Sequence, residues 1–200
     1  YRDWVRAFHQ QPTRGDAADL RHQVGTISQE PYELTWDTRW VPDQEPGVVA
    51  LVARIQSTDG VWFVTDHVEG LSLVRKEHSI RLYPATEMPY DFTVRVGREK
   101  QCRIVIPGDA DLPSADAAML HLRTWHGLAK VHHPFKLNDW SHELEGVNHH
   151  YDYDVHSVPL GVLKHGANVF SVSSDTEHHG VEVLWPGPAL LVRYPKAAGE

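Results

Sequence analysis

The sequence has a single cysteine, Cys102, so no disulfide can form within the chain and a disulfide-bonded scaffold is excluded. Its apolar runs are only of strand length, as from Val48 to Ala53, and none approaches the roughly 20 apolar residues of a membrane-spanning helix. Lysine and arginine total 19 against 27 acidic residues, which gives a net charge of −8 with histidine neutral. The sequence therefore predicts no membrane partner and no nucleic-acid partner.

Motifs of several enzyme classes are also absent. The chain has no G-x-S-x-G nucleophile elbow, no glycine loop for phosphates and no dinucleotide-binding fingerprint. It has no H-E-x-x-H pattern and no paired cysteines for zinc. Cys102 itself lies in an alternating run from Gln101 to Ile106, which predicts a buried apolar residue and not a reactive thiol.

The first part of the chain is predicted to be a lead segment followed by a small β domain. Residues 1–24 include a short amphipathic pattern, Trp4 to Phe8, that favours a helix. Short β-type runs then extend from Tyr32 to Tyr83, and the Asp59-Gly60 pair between two of them predicts a tight hairpin turn. These features predict an immunoglobulin-like β-sandwich over residues 25–86.

One stretch of this first unit has two open interpretations. The sequence Trp36-Asp37-Thr38-Arg39-Trp40 could be a structural corner in which Asp37 pairs with Arg39, or a second platform for a sugar. We favour the structural corner.

The second part is predicted to be a larger β-sandwich. Pro84, Met88 and Pro89 mark the junction, because proline removes a hydrogen-bond donor from a strand. Frequent turns between short runs, with apolar residues in alternation, predict an all-β jelly roll over residues 87–200. The runs are Phe92 to Val96, Arg103 to Ile106, Ala117 to Thr124, Phe135 to Leu137, Tyr151 to Val155, Asn168 to Ser173, Val181 to Trp185 and Ala189 to Tyr194.

Three motifs follow one another in this second part. They are the stretch from Asp111 to Leu122, the sequence Lys136-Leu137-Asn138-Asp139, and the sequence V-P-L-G-V-L-K-H-G-A-N from Val158 to Asn168. In this order they resemble the galactose-binding-like jelly roll, in which an A-x-L-x-L strand precedes an L-N-G strand end and a V-P-L-x-x-L-K-x-G-x-N turn. Asp139 stands where that pattern has glycine. Gly166 suits a left-handed conformation, and Asn168 can bond to the nearby backbone.

The resemblance implies a function as well as a fold. Jelly rolls of this kind are common as carbohydrate-binding modules of polysaccharide-degrading enzymes, and the preceding unit resembles the immunoglobulin-like spacers of such proteins. We therefore expect a non-catalytic carbohydrate-recognition module that is secreted or periplasmic and belongs to a larger multidomain protein.

Histidine is abundant, with 15 in the chain, and eleven of them lie between His121 and His179. Sugar binding needs flat apolar faces and planar hydrogen-bonding groups, and the loops of the second part offer both. Trp140 is expected to be the most exposed platform, because it follows the turn Asn138-Asp139. The predicted ligand-binding residues are Trp125, His126, Trp140, His149, His150, Tyr151, Asp152, Glu177, His178 and His179.

Other functions remain open on the sequence alone. A polysaccharide lyase could use a histidine or tyrosine as its base, and a glycoside hydrolase would need two carboxylates. The lyase candidates are His126, His149, His150, Tyr151, Tyr153, His178 and Arg193, and the hydrolase candidates are Glu143, Glu177 and Glu182. A structural or protein-interaction spacer is the third hypothesis.

No cofactor is predicted, although two kinds of metal site are conceivable. The His149-His150 and His178-His179 pairs suit a transition metal, but neighbouring residues on a strand point to opposite faces. Calcium could bind Asp109, Asp111 and Asp116, which lie close together in the sequence.

Overall fold

The computed structural model describes residues 24–25, 27–127, 134–144, 149–184 and 187–196. Apart from Val24, the predicted lead segment with its helix lies outside the described residues, and so does Trp185. The backbones of His150 and Tyr151 are described, whereas their side chains lie outside the described part.

The described residues form β-strands and two single-turn 3-10 helices, at Leu112–Ser114 and Leu160–Val162. None of the described helices is long and apolar enough to cross a membrane. The strands are β1 (Val49–Leu51), β2 (Arg54–Gln56), β3 (Trp62–Val64), β4 (Val68–Leu71), β5 (His78–Thr86), β6 (Thr93–Val94), β7 (Glu99–Ile106), β8 (Ala117–His126), β9 (Pro134–Leu137), β10 (Trp140–Glu143), β11 (His150–Ser157), β12 (Gly166–Ser173), β13 (Val181–Val183) and β14 (Ala189–Pro195).

The strands from β5 onward form an antiparallel β-sandwich, which confirms the all-β prediction. One sheet has the order β10-β9-β12-β7 and ends on residues 85–86 of β5. The other begins with the preceding residues of β5 and continues through β14 to β8. Strand β11 pairs with one edge of β8. The other edge of β8 pairs with β14 over residues 117–121 and with β13 over residues 124–126, and β6 pairs with the far side of β13. Strand β5 therefore joins the two sheets.

The core lies between the two sheets, and period-two alternation determines which residues enter it. On β8, Leu120 and Leu122 are fully buried against the core that contains Phe135 and Phe170 of the other sheet. Residues of the opposite parity on β8, such as Trp125, lie on the outer face of the sheet. Side-chain parity along β8 therefore separates core residues from residues of the outer face.

Cys102 on β7 is part of this core. Its side chain is 2% exposed, and burial raises the pKa of the thiol to about 12. The prediction of a buried cysteine is confirmed, and the raised pKa disfavours the thiolate form that would react.

The residues that carry the family resemblance form one buried hydrogen-bond network. Asn168 is fully buried; its amide donates to Lys164 O (2.8 Å) and Gly166 O (3.2 Å), and its oxygen accepts from Lys164 N (3.0 Å). Asn138, at a positive φ of 54°, donates to Asn168 Oδ1 (2.8 Å) and accepts from Val169 N (3.0 Å). Gly166 has a φ of 78°, as its place in the turn requires. The network ties the β9–β10 turn to the start of β12.

The predicted immunoglobulin-like unit differs from the expectation. In the described part of residues 25–77, the strands form a two-stranded β arm, from Val49 to Leu71, in which β1 pairs with β4 and β2 pairs with β3 around the turn at Gly60. Its side chains remain largely exposed, with Ile55 at 53% and Phe63 at 56%. A small sandwich was expected because apolar strands of this kind normally bury one face. Here the apolar strands are present, but among the described residues no second sheet packs on them.

The strand from Ile80 to Tyr83 was also predicted for the first unit. These residues belong to β5, and residues 78–84 of that strand pair with β14. Sequence order placed the strand before the proline-rich junction, whereas its hydrogen-bond partners lie more than a hundred residues further on. The division of the chain into domains stays a prediction.

The corner around Trp36 has the predicted ion pair. Asp37 accepts hydrogen bonds from the Arg39 side chain (2.7 and 3.0 Å) and from its backbone N–H (3.0 Å). These hydrogen bonds lower the pKa of Asp37 to about 2. The guanidinium of Arg193 lies 5.5 Å from the ring centre of Trp40, so this segment rests on β14.

Candidate functional site

Three of the predicted ligand residues come together at one end of the sandwich. The ring centres of Trp125 and His149 are 5.6 Å apart, those of Trp125 and His179 are 6.4 Å apart, and those of His149 and His179 are 4.9 Å apart. Trp125 is half-buried on the outer face, and both histidines are exposed. We call these three residues the aromatic cluster.

The local backbone explains why the two histidines project beside Trp125. His149 and His179 have left-handed φ values of 59° and 66°, which place each in a tight turn immediately before a strand. The first turn is bonded to β8 through His149 N to His126 O (2.8 Å), and the second through Gly127 N to Gly180 O (2.9 Å). Gly127 is required there, since a Cβ atom would lie 2.0 Å from the Cβ of His179.

A carboxylate lies directly beside the cluster. Glu182 on β13 is opposite Trp125 in the strand register and is half-buried. Burial raises its pKa, and the nearby charge of Asp91 adds to this effect. Asp91 itself has a pKa lowered to about 2, mainly by its hydrogen bonds with Thr93. Glu182 was not among the predicted ligand residues, although its alternation with the buried Val181 and Val183 indicates that it lies on the outer face.

His126 does not take part in this surface, and its predicted role as a ligand residue is corrected. Its side chain is fully buried, and its Nε2 lies 2.8 Å from Oγ1 of Thr124 on the same strand. The reason is parity: His126 follows Leu120 and Leu122 at even spacing and therefore faces the core.

Trp140 also differs from the prediction of an exposed platform. It lies on β10 in the other sheet, opposite the buried Leu137, and packs edge-on against Phe135 at 5.6 Å between ring centres. It is half-buried against the core. The tight β9–β10 turn that suggested exposure instead places the tryptophan opposite a core residue on the neighbouring strand.

The remaining predicted residues are divided between two places. Glu177 and His178 are exposed in the loop that carries His179, so they lie near the aromatic cluster. Asp152 is half-buried on β11 opposite the buried Thr124, on the core-facing side of the sheet. It therefore lies on the other face of the sheet from Trp125.

Metal ligands do not assemble in the described ranges. No three histidine, cysteine, aspartate or glutamate side chains among those residues are arranged to hold a metal ion. Asp116, one of the three aspartates considered for calcium, accepts a hydrogen bond from Arg193 at 2.6 Å. The calcium and transition-metal sites remain hypotheses beside the prediction of no cofactor.

A second pair lies on the outer face of the same sheet; Tyr153 was named from the sequence as a lyase candidate, but its partner His121 was missed. Nδ1 of His121 on β8 lies 2.5 Å from the hydroxyl of Tyr153 on β11. Burial lowers the pKa of His121 to about 4, so the ring is neutral at neutral pH. His121 shares its face of β8 with Trp125, because the two are four residues apart on a strand. This parity could have identified His121 from the sequence.

The His121 environment predicts a pH dependence of stability. Its pKa is about 4 in the folded chain, below the usual 6.5, so the unfolded chain binds more protons between these values. The free energy of unfolding therefore falls as pH decreases from 6.5 to 4, by at most about 1.4 kcal/mol per pH unit. We expect His121→Gln to reduce this slope in urea unfolding measured across that range.

Tyr153→Phe is the matched control, because it keeps the burial of His121 and should retain the slope. An unchanged slope in His121→Gln would contradict the burial argument.

Comparisons with known proteins show similarity of fold only. No protein-family model matches the chain, and no curated protein matches it. The solved structures that resemble it include BpGH86A, a beta-porphyranase of glycoside hydrolase family 86 from the human gut bacterium Bacteroides plebeius, with 13% identity and a TM-score of 0.43. They also include BuGH86wt in complex with neoagarooctaose, with 15% identity and a TM-score of 0.44.

These similarities cover 76% and 78% of this chain, but only 30% and 29% of the two hydrolase chains. The chain thus spans less than a third of their length. At this level of similarity no activity is transferred to it.

Proposed function

We propose that this chain is a non-catalytic carbohydrate-recognition module that binds a saccharide at the aromatic cluster. The observation that carries the proposal is the meeting of three rings, the half-buried Trp125 and the exposed His149 and His179, within 6.4 Å of one another at a loop-bearing end of the sandwich. An indole face stacks on the C–H side of a pyranose, and imidazole nitrogens bond to its hydroxyls.

The surroundings of the cluster suit hydroxyl recognition. Glu177 and His178 are exposed in the same loop as His179, and Glu182 lies opposite Trp125. A carboxylate can accept hydrogen bonds from two hydroxyls of a sugar. An imidazole can add a further hydrogen bond, either as a donor or as an acceptor. The secreted or periplasmic location and the larger multidomain setting expected from the family resemblance belong to the same proposal.

A polysaccharide lyase is the second candidate, and one observation favours it. The hydrogen bond between His121 and Tyr153 joins a neutral imidazole to a phenol on the face that carries Trp125. Such a pair can move a proton, as lyase chemistry requires. We favour binding because His121 is half-buried, whereas both histidines of the aromatic cluster are exposed.

The test is to incubate the purified chain with neutral and uronate polysaccharides, and to measure retardation in affinity electrophoresis together with new chain ends. We expect retardation by at least one polysaccharide and no new unsaturated or reducing ends. New ends that disappear in Tyr153→Phe would establish the lyase instead, and the absence of both retardation and cleavage would favour the spacer hypothesis.

A further inference from the structure

A cleft lies at the opposite end of β8 from the aromatic cluster. It has a volume of about 740 Å³, which is within the range of small-molecule sites. It is lined by residues 79–83 of β5 and 194–196 at the end of β14, together with Pro42, Asp43, Asp111 and Ser114. The loop with Asp111 precedes β8, whereas Trp125 lies near its end. Because β8 has ten residues at about 3.3 Å each, the two regions are on the order of 30 Å apart.

The cleft brings together hydrogen-bonding groups of several kinds. The hydroxyls of Tyr83 and Tyr194 lie 2.9 Å apart at its buried side. The guanidinium of Arg81 lies 5.5 Å from the ring centre of Tyr194. Burial and the hydrogen bond with Tyr83 raise the pKa of Tyr194, so its hydroxyl stays protonated. These groups suit binding better than proton abstraction.

The charges that line the cleft are balanced. They are Asp43, Arg81, Asp111 and Lys196, two of each sign. Asp43 is already paired with Arg75, and Lys196 donates to the backbone oxygen of Arg75 at 3.0 Å. Arg81 and Asp111 form no ion pair with each other in the described part of the chain. The charge of Asp111 would repel an anionic ligand, and the charge of Arg81 would repel a cationic ligand.

We propose that this cleft is a second binding site, for a neutral saccharide unit. Asp111 accepts hydrogen bonds from neighbouring hydroxyls of the sugar, while Arg81 donates to its oxygens together with the one hydroxyl proton that the Tyr83–Tyr194 pair does not use internally. The proposal does not rest on the aromatic cluster, because no residue is shared. If both sites bind one polysaccharide chain, they raise its apparent affinity through effective concentration.

The test is a titration of the full chain, followed through backbone amide shifts by NMR. The neutral probes are neoagarooctaose, cellohexaose and xylohexaose, and the charged probes are hexagalacturonate and the glucosamine hexamer. We expect a neutral probe to shift the amides of Tyr83, Asp111 and Tyr194, in the wild-type chain and in Trp125→Ala alike. We expect Asp111→Ala to raise the dissociation constant obtained from these shifts at least about tenfold.

Asp109→Ala is the matched control, because Asp109 lies in the same loop but does not line the cleft. Asp111→Asn, which preserves the shape of the side chain, should also weaken binding. The proposal is overturned if no neutral probe shifts these amides, if a charged probe binds there more tightly, or if Asp111→Ala and Asp109→Ala behave alike. If the aromatic cluster does not bind the saccharide, the amides of His149 and His179 will remain unshifted, and this result is independent of the cleft.

Discussion

Replacing Trp125 by alanine is expected to weaken polysaccharide binding at least about tenfold, equivalent to about 1.4 kcal/mol. Trp125 contacts both His149 and His179, and it provides the largest flat face of the cluster. Its loss removes the stacking surface and also the ring that fixes the position of the two imidazoles. Affinity electrophoresis or calorimetry with the polysaccharide that binds the wild-type chain measures the change.

Trp62→Ala is the matched control for this variant. Trp62 is 50% exposed in the β arm, away from the aromatic cluster in sequence and in strand pairing. Trp125→Phe should retain part of the affinity, since a smaller aromatic face remains. Equal loss in Trp62→Ala and Trp125→Ala, with both proteins folded, would contradict the assignment of the site.

The largest effect on stability is expected for Asn168→Ala. The buried amide of Asn168 bonds Lys164 N, Lys164 O and Gly166 O, and it accepts from Asn138. Alanine leaves several of these groups buried without a partner, at about 1–3 kcal/mol each. We expect the free energy of unfolding to fall by about 3–5 kcal/mol and the melting temperature by about 10 °C.

Ser173→Ala is the control on the same strand. Ser173 is half-buried at the end of β12, and its loss should change the melting temperature by no more than about 2 °C. A change in Asn168→Ala as small as in this control would show that the network does not hold the β9–β10 turn to β12.

Part of this network was predictable because its chemistry is local. Gly166 and Asn168 lie within the turn that they stabilise, so residue type and spacing indicate their roles. Such features depend on a few neighbouring residues and are preserved in the sequence pattern. Asn138 belongs to a second turn, and its bond to Asn168 was not predicted, because it joins two residues that are 30 positions apart in the sequence.

The aromatic cluster was only partly predictable. Trp125, His149 and His179 were all candidates, but their meeting depends on the pairing of β8 with β11 and with β13. Nothing in the sequence specifies these long-range registers. Parity along β8 is in the sequence, however, and it excludes His126 and includes His121 once Leu120 is assigned to the core.

The β arm shows the converse difficulty. The apolar strands around the turn at Gly60 predicted a core, because apolar alternation usually accompanies burial. Exposure depends on what else packs on a strand, and the local pattern is the same in both cases. Ile55 and Phe63 therefore have the sequence context of core residues and the exposure of surface residues.

The most direct test of the central claim is an NMR titration that follows the histidine and tryptophan ring signals with the saccharide that binds most tightly. The account predicts that the rings of His149 and His179 and the indole of Trp125 shift together along one binding curve, while the saccharide remains uncleaved. Saturable binding that leaves these three rings unshifted, or cleavage of the saccharide during the titration, would contradict it.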